Sequence, residues 1–68
     1  MIYYRVKEKI KESGLTYRQI AKEAGIDLAT LTRLAQANSI EDYNVTLRTL
    51  DSLCRFFDCG ILDLIKED

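Results

Sequence analysis

One pattern recurs three times along this chain: an apolar residue, a helix-capping residue, then a second apolar residue four positions after the cap. It appears as Leu15, Thr16 and Ile20; as Ile26, Asp27 and Leu31; and as Val45, Thr46 and Leu50. A Thr or Asp at the N-cap accepts a hydrogen bond from a backbone N–H that the helix leaves orphaned. The flanking apolar pair staples the entering chain onto the first turn. Starts this closely spaced allow only short helices with short connections. Gly14 and Gly25 supply the stops, because glycine takes the left-handed conformation at a helix C-terminus without steric cost.

The elements follow from these signals. Tyr3, Val6 and Ile10 recur at helical spacing and predict a first helix over residues 4–13. Residues 1–3 are open between extended and helical backbone. Thr16 with Gln19 three residues later is a capping box, which predicts a second helix over 17–24. Asp27 starts a third over 28–37, with Leu31 and Leu34 pointing inward. A polar loop spans 38–44. Leu47, Leu50, Leu53, Cys54 and Phe57 form one apolar stripe and predict a fourth helix over 47–57. After Asp58-Cys59-Gly60, the capping pattern returns in Cys59, Gly60 and Leu64 and predicts a last short helix over 61–65. The expected fold is all-α, a compact five-helix single domain over residues 1–68.

Composition narrows the class. A chain of 68 residues makes at most one small domain, and a hydrophobic content of 47% excludes a disordered tail. No apolar run reaches the roughly 20 residues a bilayer span needs, and residues 1–5 are too polar for a secretion signal. A soluble, cytoplasmic protein is expected, with no membrane partner. The chain has no His and two cysteines, Cys54 and Cys59, which is too few soft ligands for a zinc site. The thiols read as reduced, small hydrophobic groups, with a disulfide possible in principle. No nucleophile–base pair, phosphate-cradling loop, cofactor motif or evident small-molecule site is present, so an enzyme is not expected. The formal net charge is -1, but it is unevenly placed. Residues 1–36 carry seven basic against four acidic side chains; residues 37–68 carry three against seven.

The residue sizes across 16–36 carry the functional signal. Ala21 is small where the next helix must cross closely. Gly25 takes the turn, Ile26 plugs it, and Leu31 and Leu34 lock the third helix onto the second. With these residues in view, Gly14-Leu15-Thr16-Tyr17-Arg18-Gln19-Ile20-Ala21-Lys22-Glu23-Ala24-Gly25-Ile26 resembles the Cro/CI-type (XRE) helix-turn-helix family of phage and bacterial repressors. So do Ala29-Thr30-Leu31-Thr32-Arg33-Leu34 and Thr49-Leu50-Asp51-Ser52-Leu53-Cys54-Arg55-Phe56-Phe57. The resemblance extends from Val6 to Ile65 and implies a lambda-repressor-like domain that regulates transcription.

It also implies site residues. The third helix would read the major groove of double-stranded DNA through Leu28, Ala29, Thr30, Thr32, Arg33 and Gln36, with Tyr17 from the second helix. Arg33 suits guanine and Gln36 suits adenine, each bidentate pair contributing about 1–3 kcal/mol of discrimination. Arg5, Lys7, Arg18, Lys22 and Asn38 are the candidates for phosphate contacts, which position without reading sequence. A homodimer would bring two such helices to half-sites about 34 Å apart, and Ile40, Phe56, Ile61 and Leu62 are the candidates for its contact surface. The chain departs from the family pattern at Tyr17, where Gln is common, and at Leu28 and Ala29, where polar residues are common. It departs again at Ala37, where Gly is usual, and in the acidic pair Glu41 and Asp42. These departures sustain a second reading, a protein-interaction module of antirepressor or antitoxin type on the same fold.

Overall fold

The computed structural model describes all 68 residues. Its elements run β1 (Ile2–Tyr4), α1 (Val6–Ser13), α2 (Tyr17–Ala24), α3 (Leu28–Gln36), α4 (Leu47–Phe57), a 3-10 turn (Ile61–Asp63) and β2 (Ile65–Glu67). Four helices with a two-stranded antiparallel sheet make a mixed α/β fold, which corrects the expectation of an all-α, five-helix domain.

The correction lies at the two ends of the chain. The fifth helix expected over residues 61–65 is a single 3-10 turn. A helix of five residues closes too few hydrogen bonds to offset the entropy of fixing its first turn. Ile65, Lys66 and Glu67 instead pair with Tyr4, Tyr3 and Ile2 in antiparallel register. That ladder also takes Tyr4 out of the first helix, which begins at Val6 after Arg5 turns the chain at φ −118° and ψ 18°. The question left open over residues 1–3 is answered by extended backbone from Ile2.

β1 is bordered on its other side by the segment that follows α3. The Tyr4 N–H donates to the Asn38 carbonyl at 2.9 Å, the Ile40 N–H donates to the Ile2 carbonyl at 3.0 Å, and Tyr3 bridges Ser39. The Tyr4 hydroxyl donates to the Tyr43 carbonyl at 2.6 Å and accepts from the Val45 N–H at 3.3 Å. The α3–α4 loop is therefore sewn to the sheet, which fixes where α3 ends.

The helix starts form largely as their sequences dictate. The Gln19 N–H donates to Thr16 Oγ1 at 3.1 Å while the Thr16 N–H donates to Gln19 Oε1 at 3.0 Å, a complete capping box. Thr46 Oγ1 accepts from the Thr49 N–H at 3.2 Å. Asp27 is the exception: its backbone carbonyl accepts from the Leu31 N–H, but its carboxylate makes no cap bond. The second apolar residue of each staple, Ile20, Leu31 and Leu50, joins Val6, Ile10, Ala21, Leu34, Ala35, Leu53, Leu64 and Tyr4 in one buried core. Leu47 does not belong to it. At the first position of α4 it lies on the edge of the apolar stripe, where no neighbouring element reaches it, and it is 80% exposed. α2 packs across both α3 and α4, and α1 packs on α3.

Candidate nucleic-acid interface

The turn between α2 and α3 is built by backbone geometry. Gly25 ends α2 at φ +74°, and the Ile26 N–H reaches back to the Ala21 carbonyl at 3.0 Å. This six-residue closure brings Ile26 back over α2 and onto the core. Ala21 is buried beneath the crossing, and Leu31 and Leu34 are fully enclosed.

With Leu31, Leu34 and Ala35 buried, a rotation of about 100° per residue sets the remaining faces of α3. Ala29, Arg33 and Gln36 occupy the centre of the outward face, and all three are exposed. Leu28 and Thr32 lie on one flank. The Thr32 hydroxyl donates to the Leu28 carbonyl at 2.9 Å, so its proton is already engaged while its oxygen can still accept. Thr30 lies on the other flank, half-buried, in a depression shared with Asp27, Arg48, Thr49 and Ser52. The fold thus groups Arg33 with Gln36 and turns Thr30 toward α4.

The end of α3 explains two departures from the family pattern. Ala37 is extended, at φ −79° and ψ 139°, and donates to the carbonyls of Arg33 and Leu34. An extended residue has no need of glycine's left-handed freedom. Asp42 Oδ2 accepts from the Asn38 N–H at 2.9 Å and the Ser39 N–H at 3.2 Å. Its charge is used to hold the turn, and although it lines one depression with Arg33, Gln36, Ala37 and Tyr43, it forms no ion pair with Arg33. The one ion pair between side chains is Asp51 with Arg55 on the exposed side of α4, at 3.2 Å. The Arg33 guanidinium is therefore free.

The other expected site residues fall into separate groups. Arg18 and Lys22 are exposed and one helical turn apart on α2. Tyr17 is half-buried, packs against the core and lines a groove with Lys7, Ile10, Lys11 and Leu15. Arg5 sits at the sheet end of α1 beside Glu8, Lys66 and Asp68. Asn38 has its backbone N–H bound by Asp42 and its carbonyl bound by Tyr4, leaving only its side chain free. Of the residues expected at a dimer contact, Leu62 is 73% exposed, Ile61 and Ile40 just over a third. Phe56 is half-buried and stands edge-on to Phe57 with ring centroids 5.0 Å apart.

Two residues escaped the sequence reading. Arg48 is an exposed cation beside the helix-turn-helix, but it lies in α4 and only packing brings it near Thr30. Asp42 reads as a repulsive acid in sequence, but in the fold its carboxylate accepts from the backbone N–H groups four and three residues before it, which closes the turn after α3.

α2, its glycine turn and α3, with a free cationic side chain on the outward face of α3, define a helix-turn-helix domain. The comparisons with known proteins agree. Residues 5–67 match the family model described as the Cro/C1-type HTH DNA-binding domain, and the chain belongs to that family. This is a non-catalytic, DNA-binding class, so the protein is not an enzyme. The chain is 23% identical over 62 residues to uncharacterized HTH-type transcriptional regulators of Rickettsia prowazekii (strain Madrid E) and Rickettsia conorii (strain ATCC VR-613 / Malish 7). The aligned residues cover 91% of this chain, with 67% of the first relative and 57% of the second. A crystal structure of a Bacteroides fragilis protein shares the fold, with a TM-score of 0.78 at 21% identity, covering 97% of this chain and 100% of that one. No helix is long and apolar enough to cross a membrane.

Proposed function

We propose that the chain is a sequence-specific DNA-binding regulator of transcription, acting as a repressor, that lays α3 in the major groove. The observation that carries this reading is the outward face of α3. Arg33 and Gln36 stand together there, exposed, with the guanidinium unpaired and Asp42, the acid that shares their depression, already bound to backbone. Arg33 donates to guanine and Gln36 pairs with adenine, while Leu28 and Ala29 offer apolar contact to thymine methyl groups. Tyr17, Thr30 and Thr32 flank the reading face, with Thr32 acting only as an acceptor. Arg18, Lys22, Lys7, Arg5 and the Asn38 side chain contribute contacts to phosphate. A cytoplasmic homodimer joined through Ile40, Phe56, Ile61 and Leu62 presents two reading helices to a two-fold operator.

The test is selection from random duplexes followed by fluorescence titration over a salt series. Binding should weaken linearly on a log–log salt plot, in proportion to the phosphates contacted. Arg33→Ala should lose about ten- to a hundredfold on the selected site and relax preference at one base position. Lys22→Ala should weaken all sequences alike. Absence of salt-dependent binding at low ionic strength would refute DNA recognition and favour the protein-interaction module, for which Leu28, exposed by 38%, is the natural contact.

A further inference from the structure

The C-terminus of α4 repeats the geometry that ends α2, with different side chains. Asp58 takes the left-handed conformation at φ 53°, the only non-glycine residue to do so. The Cys59 N–H then reaches back to the Cys54 carbonyl at 3.0 Å. In this closure the first and sixth residues are the pair whose side chains meet. At the end of α2 that pair is Ala21 and Ile26; at the end of α4 it is Cys54 and Cys59. Covalent geometry on either side of the 3.0 Å bond limits the two Cα atoms to a separation of about 7 Å. Disulfides span Cα atoms about 4.4–6.8 Å apart. Both thiols are free and half-buried, and both pack against the edge of the core.

We propose that Cys54 and Cys59 are a reversible dithiol–disulfide pair that staples the end of α4 to the chain entering the 3-10 turn. Oxidation needs a small-molecule disulfide of the glutathione class. The Cys59 thiolate attacks one sulfur of that disulfide, forms a mixed disulfide and releases one small thiolate. Cys54 then gives its proton to solvent and attacks the Cys59 sulfur, expelling the second small thiolate. Two cysteine thiols are oxidised and one small disulfide is reduced to two thiols. Burial first, and Cys59, Asp51 and Asp63 after it, raise the pKa of Cys54, so that this thiol gives up its proton less readily than a free cysteine. The staple closes a short loop that is already in its native conformation, so it constrains the unfolded chain with little strain on the folded one.

The full chain is incubated with glutathione disulfide, and its intact mass and tryptic map are recorded without reductant. Arg55 lies between the two cysteines, so trypsin cuts the loop and a staple holds the peptides 49–55 and 56–66 together. The expected product is a monomer that has lost two hydrogen atoms, with these peptides linked. Its melting temperature should rise by about 10 °C, reversed by dithiothreitol. Cys54→Ala and Cys59→Ala, alongside the two serine variants, should melt near the reduced parent and show no rise on oxidation. Stable mixed disulfides, intermolecular dimers, or a staple that leaves the melting temperature unchanged or lower would each overturn the proposal.

Discussion

Replacing Tyr4 with phenylalanine removes one oxygen atom and both of its hydrogen bonds. The ring is 9% exposed, and the hydroxyl joins two points of the α3–α4 loop to β1, donating to the Tyr43 carbonyl and accepting from the Val45 N–H. A neutral hydrogen bond contributes about 1 kcal/mol net, and a partner left buried and unsatisfied costs about 1–3 kcal/mol. The 2.6 Å bond to Tyr43 carries most of the effect; the 3.3 Å bond to Val45 is weaker. A destabilisation of about 2 kcal/mol follows, or a fall in melting temperature of roughly 8–16 °C for a domain of this size. Tyr3→Phe is the matched control, since the Tyr3 hydroxyl bonds no protein group, and it should stay within about 0.5 kcal/mol. Urea unfolding of both variants measures the difference, with the denaturant slope unchanged because the folded core is intact. Amide exchange should accelerate at Val45 in the Tyr4 variant alone. Equal effects of the two substitutions, or a loss at Tyr4 below about 0.5 kcal/mol, would refute the assignment of this hydroxyl as the loop's tether.

Other expectations follow from the same geometry. Asp42→Ala should destabilise by about 1 kcal/mol and speed amide exchange at Asn38 and Ser39, whose N–H groups it caps. Gly25→Ala should cost about 1–2 kcal/mol through its left-handed backbone, although a Cβ there meets nothing. Ala37→Gly should also destabilise, by about 0.5–1 kcal/mol, because an extended residue gains nothing from glycine and the unfolded chain becomes freer; thermal melts of the pair check both signs. Cys54 has its pKa raised above 9.0 by burial first and by Cys59, Asp51 and Asp63 after it. The folded state then holds this proton more tightly than the unfolded state, so its contribution is complete below about pH 9 and is lost as pH rises through the folded value. A stability profile of the parent should decline more steeply above that pH than one of Cys54→Ala.

The helix-turn-helix was legible in the sequence because its determinants are local. Thr16, Gln19 and Ile20 cap and staple one helix within a single turn, and Gly25 ends it by its own backbone freedom. The outward placement of Arg33 and Gln36 follows from helical period once Leu31 and Leu34 are buried. Local signals also misled. The pattern Cys59, Gly60, Leu64 does bury Leu64, and the Asp63 carboxylate does accept from the Gly60 N–H at 3.2 Å, yet the result is a single 3-10 turn. A strand has no internal hydrogen bonds and exists only where a partner does, and here the partner of Ile65–Glu67 is the opposite end of the chain. The same distance hid the role of Tyr4, the exposure of Leu47 and the approach of Arg48 to Thr30. What the sequence determined alone is the unit that turns α3 outward, because capping, period and glycine act within a few residues. What only the tertiary structure decided is the sheet that joins the two ends of the chain and holds the loop after α3, because each of its hydrogen bonds needs a donor and an acceptor that folding must first bring together.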